Sequence, residues 1–274
     1  MSRLSPTLTI MEAAARKAGR GLIRDFNEVE HLQVSKKGPA DFVSAADRRA
    51  DKVLREELQK GRPGAGFLTE EGTDVEGDGI YRWIVDPLDG TTNFLHAVPH
   101  FAISIALERE KEVIAALIYQ PLYDEIYWAE KGDGAFSTRG RLRVSARKNM
   151  SDCLLATGIP WKGHGDMTQF TSEMESVAGE VSGIRRMGSA ALDLAYVAAG
   201  RFDGFWERGL KPWDIAAGLL LVNEAGGYVY GFDGKPVNHM SPDLVAANPQ
   251  IMDPLLGLLT KNAALGGVGD KKSA

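Results

Sequence analysis

The 274-residue chain is short of soft metal ligands and of long apolar runs. Its one cysteine, Cys153, excludes an intrachain disulfide and a cysteine-based metal cluster, and fits a reducing cytoplasm. The apolar run around it marks a buried structural thiol rather than a nucleophile. Of five histidines, His96 and His100 have i,i+4 spacing, but Pro99 between them breaks the helical face that a zinc pair would share. The longest apolar run, residues 215–222, is far below the ~20 residues of a membrane span, so no membrane partner is expected. No signal peptide is expected either, because Ile10 and Met11 lead straight into the charged, alanine-rich residues 12–17. A net charge of -5 gives no general reason to expect nucleic acid or acidic lipid as a partner. One basic stretch, with Arg139, Arg141, Arg143, Arg147 and Lys148, has no interleaved aromatic residues and reads as a solvated connection.

What is present is a regular succession of elements, in a length near the upper limit for one core. Leu8, Met11, Ala15, Ala18, Leu22 and Phe26 recur at helical spacing, so residues 7–26 read as an amphipathic helix begun by Ser5-Pro6. A polar loop over residues 35–40 carries Lys36 and Lys37. A second helix follows, with Ser44 as N-cap and Asp47 in its first turn. Residues 66–69 form a short strand ending in Glu70-Glu71, and residues 80–85 a strand that turns acidic at Asp86. Alternating runs at 101–107, 113–119 and 125–130 predict an antiparallel meander. Beyond residue 145 strands are expected at 153–157, 202–206, 227–230 and 244–247. Helices are expected near 168–178, at the nearly all-apolar 190–199, at 213–225, also buried, and at 249–260. The expected organisation is an N-terminal α+β half over residues 1–145, a C-terminal α/β half over 146–265, and a flexible tail over 266–274.

The chemistry centres on Asp86-Pro87-Leu88-Asp89-Gly90-Thr91-Thr92-Asn93. Pro87 stiffens the segment so that both carboxylates can converge, Gly90 permits close backbone approach, and Thr91 to Asn93 open a helix whose amides face an anion. Singly, each acid has an ordinary reading: Asp86 and Asp89 in a turn, Asp214 and Asp47 at helix starts, Glu70 in a surface loop. Together, hard carboxylate oxygens without paired histidine or cysteine select Mg²⁺, Mn²⁺ or Ca²⁺ over zinc. Asp47, Glu70, Asp86, Asp89 and Asp214 would together repel a phosphate monoester unless cations lay among them; two or three Mg²⁺ ions bring the sum near neutrality.

Glu70-Glu71, the run from Asp86 to Phe94, Gly188-Ser189-Ala190-Ala191 and Trp213-Asp214-Ile215-Ala216-Ala217-Gly218 resemble, in order and spacing, the motifs of the inositol monophosphatase family, most closely its bacterial members. The resemblance spans nearly the whole chain. It implies a layered α-β-α-β-α sandwich of the α/β (α+β) class, shared with fructose-1,6-bisphosphatases, and a Mg²⁺-dependent, lithium-sensitive phosphomonoesterase that is usually dimeric. It also implies metal ligation by Glu70, Asp86, Asp89 and Asp214 with the Leu88 carbonyl, and a catalytic set of Glu70, Asp47 and Thr91, the last two orienting the attacking water. Phosphate and substrate contacts fall to Gly90, Thr91, Gly188, Ser189, Ala190, Asp214 and Glu207, the last placed for polyol hydroxyls, while Lys36 lies in the loop resembling the one that covers the family's site. The expected reaction is hydrolysis of myo-inositol monophosphate or a similar polyol or sugar phosphate. Competing expectations are another small ester (fructose 1,6-bisphosphate, histidinol phosphate, adenosine bisphosphate, NADP) or a regulatory role with transcription machinery. Trp161, after Gly158-Ile159-Pro160, and the basic Lys36-Lys37 loop depart from the usual pattern.

Overall fold

The computed structural model describes residues 4–28, 34–36, 42–160, 163 and 165–261, with 34–36 and 42–44 as backbone only. The side chains of Lys36 and Ser44, and all of Lys37, Trp161 and residues 266–274, lie outside the described residues. Two sheets alternate with three layers of helix, as the resemblance implies. The first helix, α1 (Pro6–Phe26), starts where Ser5 accepts from the Leu8 amide at 3.1 Å with Pro6 in the first turn. After the short antiparallel pair β1 (Val34–Lys36) and β2 (Phe42–Ser44) comes α2 (Ala45–Gly61).

The large sheet runs in chain order: β3 (Gly66–Thr69), β4 (Tyr81–Asp89), β5 (Ala102–Arg109), β6 (Glu112–Gln120), β7 (Glu125–Glu130), β8 (Gly134–Ser137) and β9 (Gly140–Arg141). Only β3 and β4 are parallel; the other pairs are antiparallel, and β5, β6 and β7 are the expected meander. Side-chain alternation sends each strand into two cores. Trp83, Val85, Ile103, Ile105 and Leu107 pack under the buried stripe of α1 and α2, with Leu8, Met11, Leu22 and Leu54. Ile84, Ala102, Ala106, Ala116 and Ile118 face the opposite way, against two apolar helices, α5 (Ala190–Ala198) and α6 (Pro212–Glu224). Small alanines on that face let these helices lie close.

The small sheet has the order β11 (Gly183–Arg185), β10 (Leu154–Thr157), β12 (Gly204–Glu207), β14 (Leu244–Ala247), β13 (Tyr228–Tyr230). Its inner face gives Ala156, Phe205, Leu244 and Ala246 to the core holding α5 and α6. Its outer face gives Leu155, Trp206, Val245 and Ala247 to α4 (Met167–Ala178) and α7 (Met252–Thr260), together with the buried Cys153. Strands β1, β2, β8, β9 and β11 have no counterpart in the sequence reading, and β1 places Ser35 and Lys36 in a strand rather than in the expected loop. A second difference matters more for the site: β4 does not end at Val85 but runs on through Asp86 to Asp89, with its register against β5 shifted between those two acids. A bulge at a proline, which has no amide to give the ladder, lets the strand carry both carboxylates.

Candidate active site

The site lies where the C-terminal end of β4 meets the starts of α5 and α6. Gly90 follows β4 with φ 92°, a left-handed conformation, and starts the short helix α3 (Thr91–Leu95). A Cβ at Gly90 would stand 3.0 Å from the His100 carbonyl and 3.3 Å from that of Gly188, so glycine is required both for φ and for space. Asn93 fastens the same junction, its amide donating to the His100 carbonyl at 2.8 Å and to the Met187 carbonyl at 2.9 Å.

Asp89 ties the end of β4 to the start of α5. Its carboxylate accepts from the Ser189 hydroxyl at 2.5 Å and from the Ala191 amide at 2.8 Å, both at the start of α5. Ser189 also caps that helix through the Leu192 amide. Burial nevertheless dominates and pushes the Asp89 carboxyl up to about 6. Asp86 accepts from the Leu88 amide at 2.9 Å and is fully buried; desolvation, then the charges of Glu70, Asp89, Asp214 and Asp47, hold it well above the ordinary carboxylate range. Asp214, in the first turn of α6, accepts from the Lys211 amide at 2.7 Å and is raised to about 8 by burial and then by Asp89. The Thr91 hydroxyl donates to the Leu88 carbonyl at 2.9 Å.

Among the described residues, Asp47, Glu70 and Glu71 form a group in which one carboxylate oxygen of each lies within 4.8 Å of the others. Asp86, Asp89 and Asp214 fall outside that tightest group but are joined to it electrostatically through Asp86. Glu71 is an addition: its position beside Glu70 is visible in the sequence, but nothing local says that it, too, faces Asp47. Asp193 is another. It lies on α5, 1% exposed, with a buried Oδ1 that has no hydrogen-bond partner among the described residues, and burial followed by the charges of Glu207 and Asp89 raises its carboxyl. One acid in an otherwise apolar helix was the available signal.

Glu207 ends β12 and packs against Gly158, where a Cβ would fall 1.9 Å from its Oε1. Burial, then Asp89, pushes it up to about 8, while Arg186 opposes the shift. Gly188 (φ 83°), Ser189 and Ala190 form the adjoining turn into α5. Thus every residue expected at the site, apart from the side chain of Lys36, is placed around the ends of β3, β4 and β12 and the starts of α2, α3, α5 and α6. So many buried carboxylates held above their ordinary range, with no lysine or arginine side chain in an ion pair with Asp86, Asp89 or Asp214 among the described residues, form a donor set that fits hard divalent cations.

Known proteins resemble this chain over most of its length. The model of the inositol monophosphatase family matches residues 3–263. An inositol-1-monophosphatase of Rhizobium meliloti is 58% identical over 250 residues, covering 90% of this chain and 93% of its own. The Nus factor SuhB of Escherichia coli K12 is 42% identical over 92% of this chain and 95% of its own. The crystal structure of the extragenic suppressor protein suhB from Bartonella henselae superposes with a TM-score of 0.90 at 52% identity, covering 94% of this chain and 99% of the other. Together with the two-sheet sandwich, these matches mean that the chain belongs to the inositol monophosphatase family.

Proposed function

We propose that this protein is a phosphomonoesterase that hydrolyses myo-inositol monophosphate to inositol and phosphate. The observation that carries the reading is the convergence of acids from α2, β3, β4 and α6 on one buried junction, in a chain 58% identical to an inositol-1-monophosphatase. Glu70, Asp86, Asp89, Asp214 and the Leu88 carbonyl would hold Mg²⁺, two or three ions per site. When bound, Mg²⁺ supplies positive charge to the phosphoryl and leaving oxygens and lowers the pKa of water.

The chain's own groups do the rest. Asp47 accepts a hydrogen bond from the attacking water. The Thr91 hydroxyl, its proton committed to the Leu88 carbonyl, presents lone pairs to the same water. The amides of Gly90 and Thr91 donate to phosphate oxygens. Gly188, Ser189 and Ala190 wall the leaving-group side, and Glu207 bonds polyol hydroxyls. Water oxygen attacks phosphorus in line, the bond to the inositol oxygen breaks, and that oxygen takes up a proton, with no phosphoenzyme. Asp89 fixes the geometry by tying β4 to α5 through Ser189. The reading includes lithium sensitivity, a homodimer and a cytoplasmic setting.

A panel of phosphate esters assayed for Mg²⁺-dependent phosphate release tests it, and a hundredfold preference for an ester other than inositol monophosphate would sink the substrate assignment. The 42% identity to the E. coli Nus factor SuhB supports a second reading, a regulatory role with transcription machinery. A pull-down in which Asp89→Asn keeps its transcription partner but not its turnover would separate the two roles.

A further inference from the structure

Glu70 and Glu71 follow β3 and meet Asp47 of α2, so the turn that carries them must be held against that helix. Arg55 holds it. About two turns along α2 from Asp47, its Nε donates to the buried Asp51 carboxylate, at 2.9 Å to Oδ2 and 3.2 Å to Oδ1. Nη2 of the same guanidinium donates to the hydroxyl of Thr69, the buried last residue of β3. That hydroxyl also accepts from the Gly72 amide at 3.1 Å, which closes the turn over Glu70 and Glu71. Gly72 leaves the guanidinium its place, since a Cβ there would fall 1.9 Å from Nη2. The Phe67 ring supports the same group, its centroid 5.3 Å from Cζ. On its other side the turn is tied to β4, where the Glu70 amide donates to the Val85 carbonyl at 3.4 Å.

One planar cation thus joins α2, the end of β3 and the turn after it, and Asp51 fixes its orientation. A guanidinium can hold a carboxylate and a hydroxyl at set angles at the same time, which the point charge of a lysine does not reproduce. Groups that orient a ligand without touching the ion change metal affinity by about 10- to 100-fold, because a ligand already in place loses little freedom on binding. Resting on the phosphatase reading, we propose that Arg55 is a positioning residue of the metal site: through Thr69 and the Gly72 amide it sets the Glu70–Glu71 turn against α2, so that these carboxylates face Asp47 before a cation arrives.

The test is a double-mutant cycle on the full chain, with Arg55→Met, Thr69→Val and the two combined. Thr69→Val keeps the shape of the side chain and the pair between Arg55 and Asp51, and removes only the link to the turn. Each protein is stripped of metal and titrated with Mn²⁺, the free ion being followed by electron paramagnetic resonance. The Mg²⁺ dependence of phosphate release from inositol 1-phosphate is measured beside it. Expected in each single variant is a rise of about 10-fold in the Mn²⁺ concentration for half-occupancy and in the Mg²⁺ concentration for half-maximal rate. The number of Mn²⁺ ions bound at saturation and kcat at saturating Mg²⁺ should stay close to native. The double variant should bind no more weakly than the weaker single one, because both substitutions cut the same link. Native Mn²⁺ affinity in either single variant, or losses that multiply in the double, overturns the assignment of Arg55 alone. A native protein that binds Mn²⁺ but releases no phosphate from inositol 1-phosphate overturns the phosphatase reading, whatever the variants do.

Discussion

The hydroxyl of Ser189 donates to the carboxylate of Asp89 across 2.5 Å and 100 positions of sequence, so one hydrogen bond joins the last residue of β4 to the cap of α5. The end of β4 and the start of α5 are therefore positioned by a contact between a candidate metal ligand and a residue of the proposed substrate wall. Asp89→Asn keeps an oxygen to accept from Ser189 but removes the charge. Activity should fall about 10³-fold or more, while the unliganded protein melts at or slightly above its native temperature, because a desolvated carboxylate has been replaced by a neutral group. Magnesium at about 100 times its dissociation constant stabilises a single-site protein by about 2.7 kcal/mol, roughly 5 to 10 °C at this size. That shift should shrink in Asp89→Asn. Near-normal turnover with an intact magnesium shift would remove Asp89 from the site.

Much of this was legible in the sequence, for identifiable reasons. Ile103, Ile105 and Leu107 alternate with Ala102 and Ala106, and that pattern alone marks β5 as a strand with large residues on one face and small ones on the other; the helical layers that cover both faces are set by the fold. The stripe from Leu8 to Leu22 fixed the buried face of α1 in the same way. The strand β4 was cut short because Asp86 and Pro87 look like punctuation; pairing with β5 and burial override that local signal. Gly134–Ser137 and Gly183–Arg185, each short and opened by a glycine, do not register as strands without their neighbours. Glu71 and Asp193 joined the acidic site through tertiary proximity, which spacing along the chain does not encode.

Gly158 is constrained by a side chain. Its missing Cβ would sit 1.9 Å from Oε1 and 2.0 Å from Cδ of Glu207, the far end of a flexible residue. Gly158→Ala should therefore displace the Glu207 carboxylate rather than disrupt β10, and the protein should melt within a few degrees of native. If Glu207 bonds the polyol, kcat/KM for inositol monophosphate should fall roughly 10-fold, mostly in KM, as expected for loss of about one hydrogen bond. Unchanged KM would show that Glu207 does not touch the leaving group.

Gly218 belongs to the same motif as Asp214 but serves packing. On α6 its Cβ would come 2.6 Å from the Cβ of Leu194 and 2.4 Å from its Cδ1, so α5 and α6 meet there with nothing between them. Gly218→Ala gains helix propensity of up to about 1 kcal/mol, yet it overpacks a buried contact at a cost of about 1 to 3 kcal/mol. The net effect should be a lower Tm with the magnesium affinity kept. A variant of native or higher Tm would mean that the two helices separate without penalty.

His100 makes stability depend on acid. It is buried at 7% exposure, its Nε2 has no partner among the described residues, and its ring stands edge-on to Tyr196 at 6.0 Å. Burial pushes it down to about 4, below the ~6.5 of the unfolded chain. As pH drops, the unfolded chain binds the proton first. The folded state is therefore at full strength above about 6.5 and loses ground steadily towards pH 4, by up to about 3 kcal/mol. His100→Phe keeps the edge-on ring and cannot be protonated. Urea denaturation midpoints between pH 4 and 7 should fall less steeply for this variant than for the native protein, with the two curves separating below pH 6.5. Parallel curves over that interval would place the acid sensitivity elsewhere in the molecule.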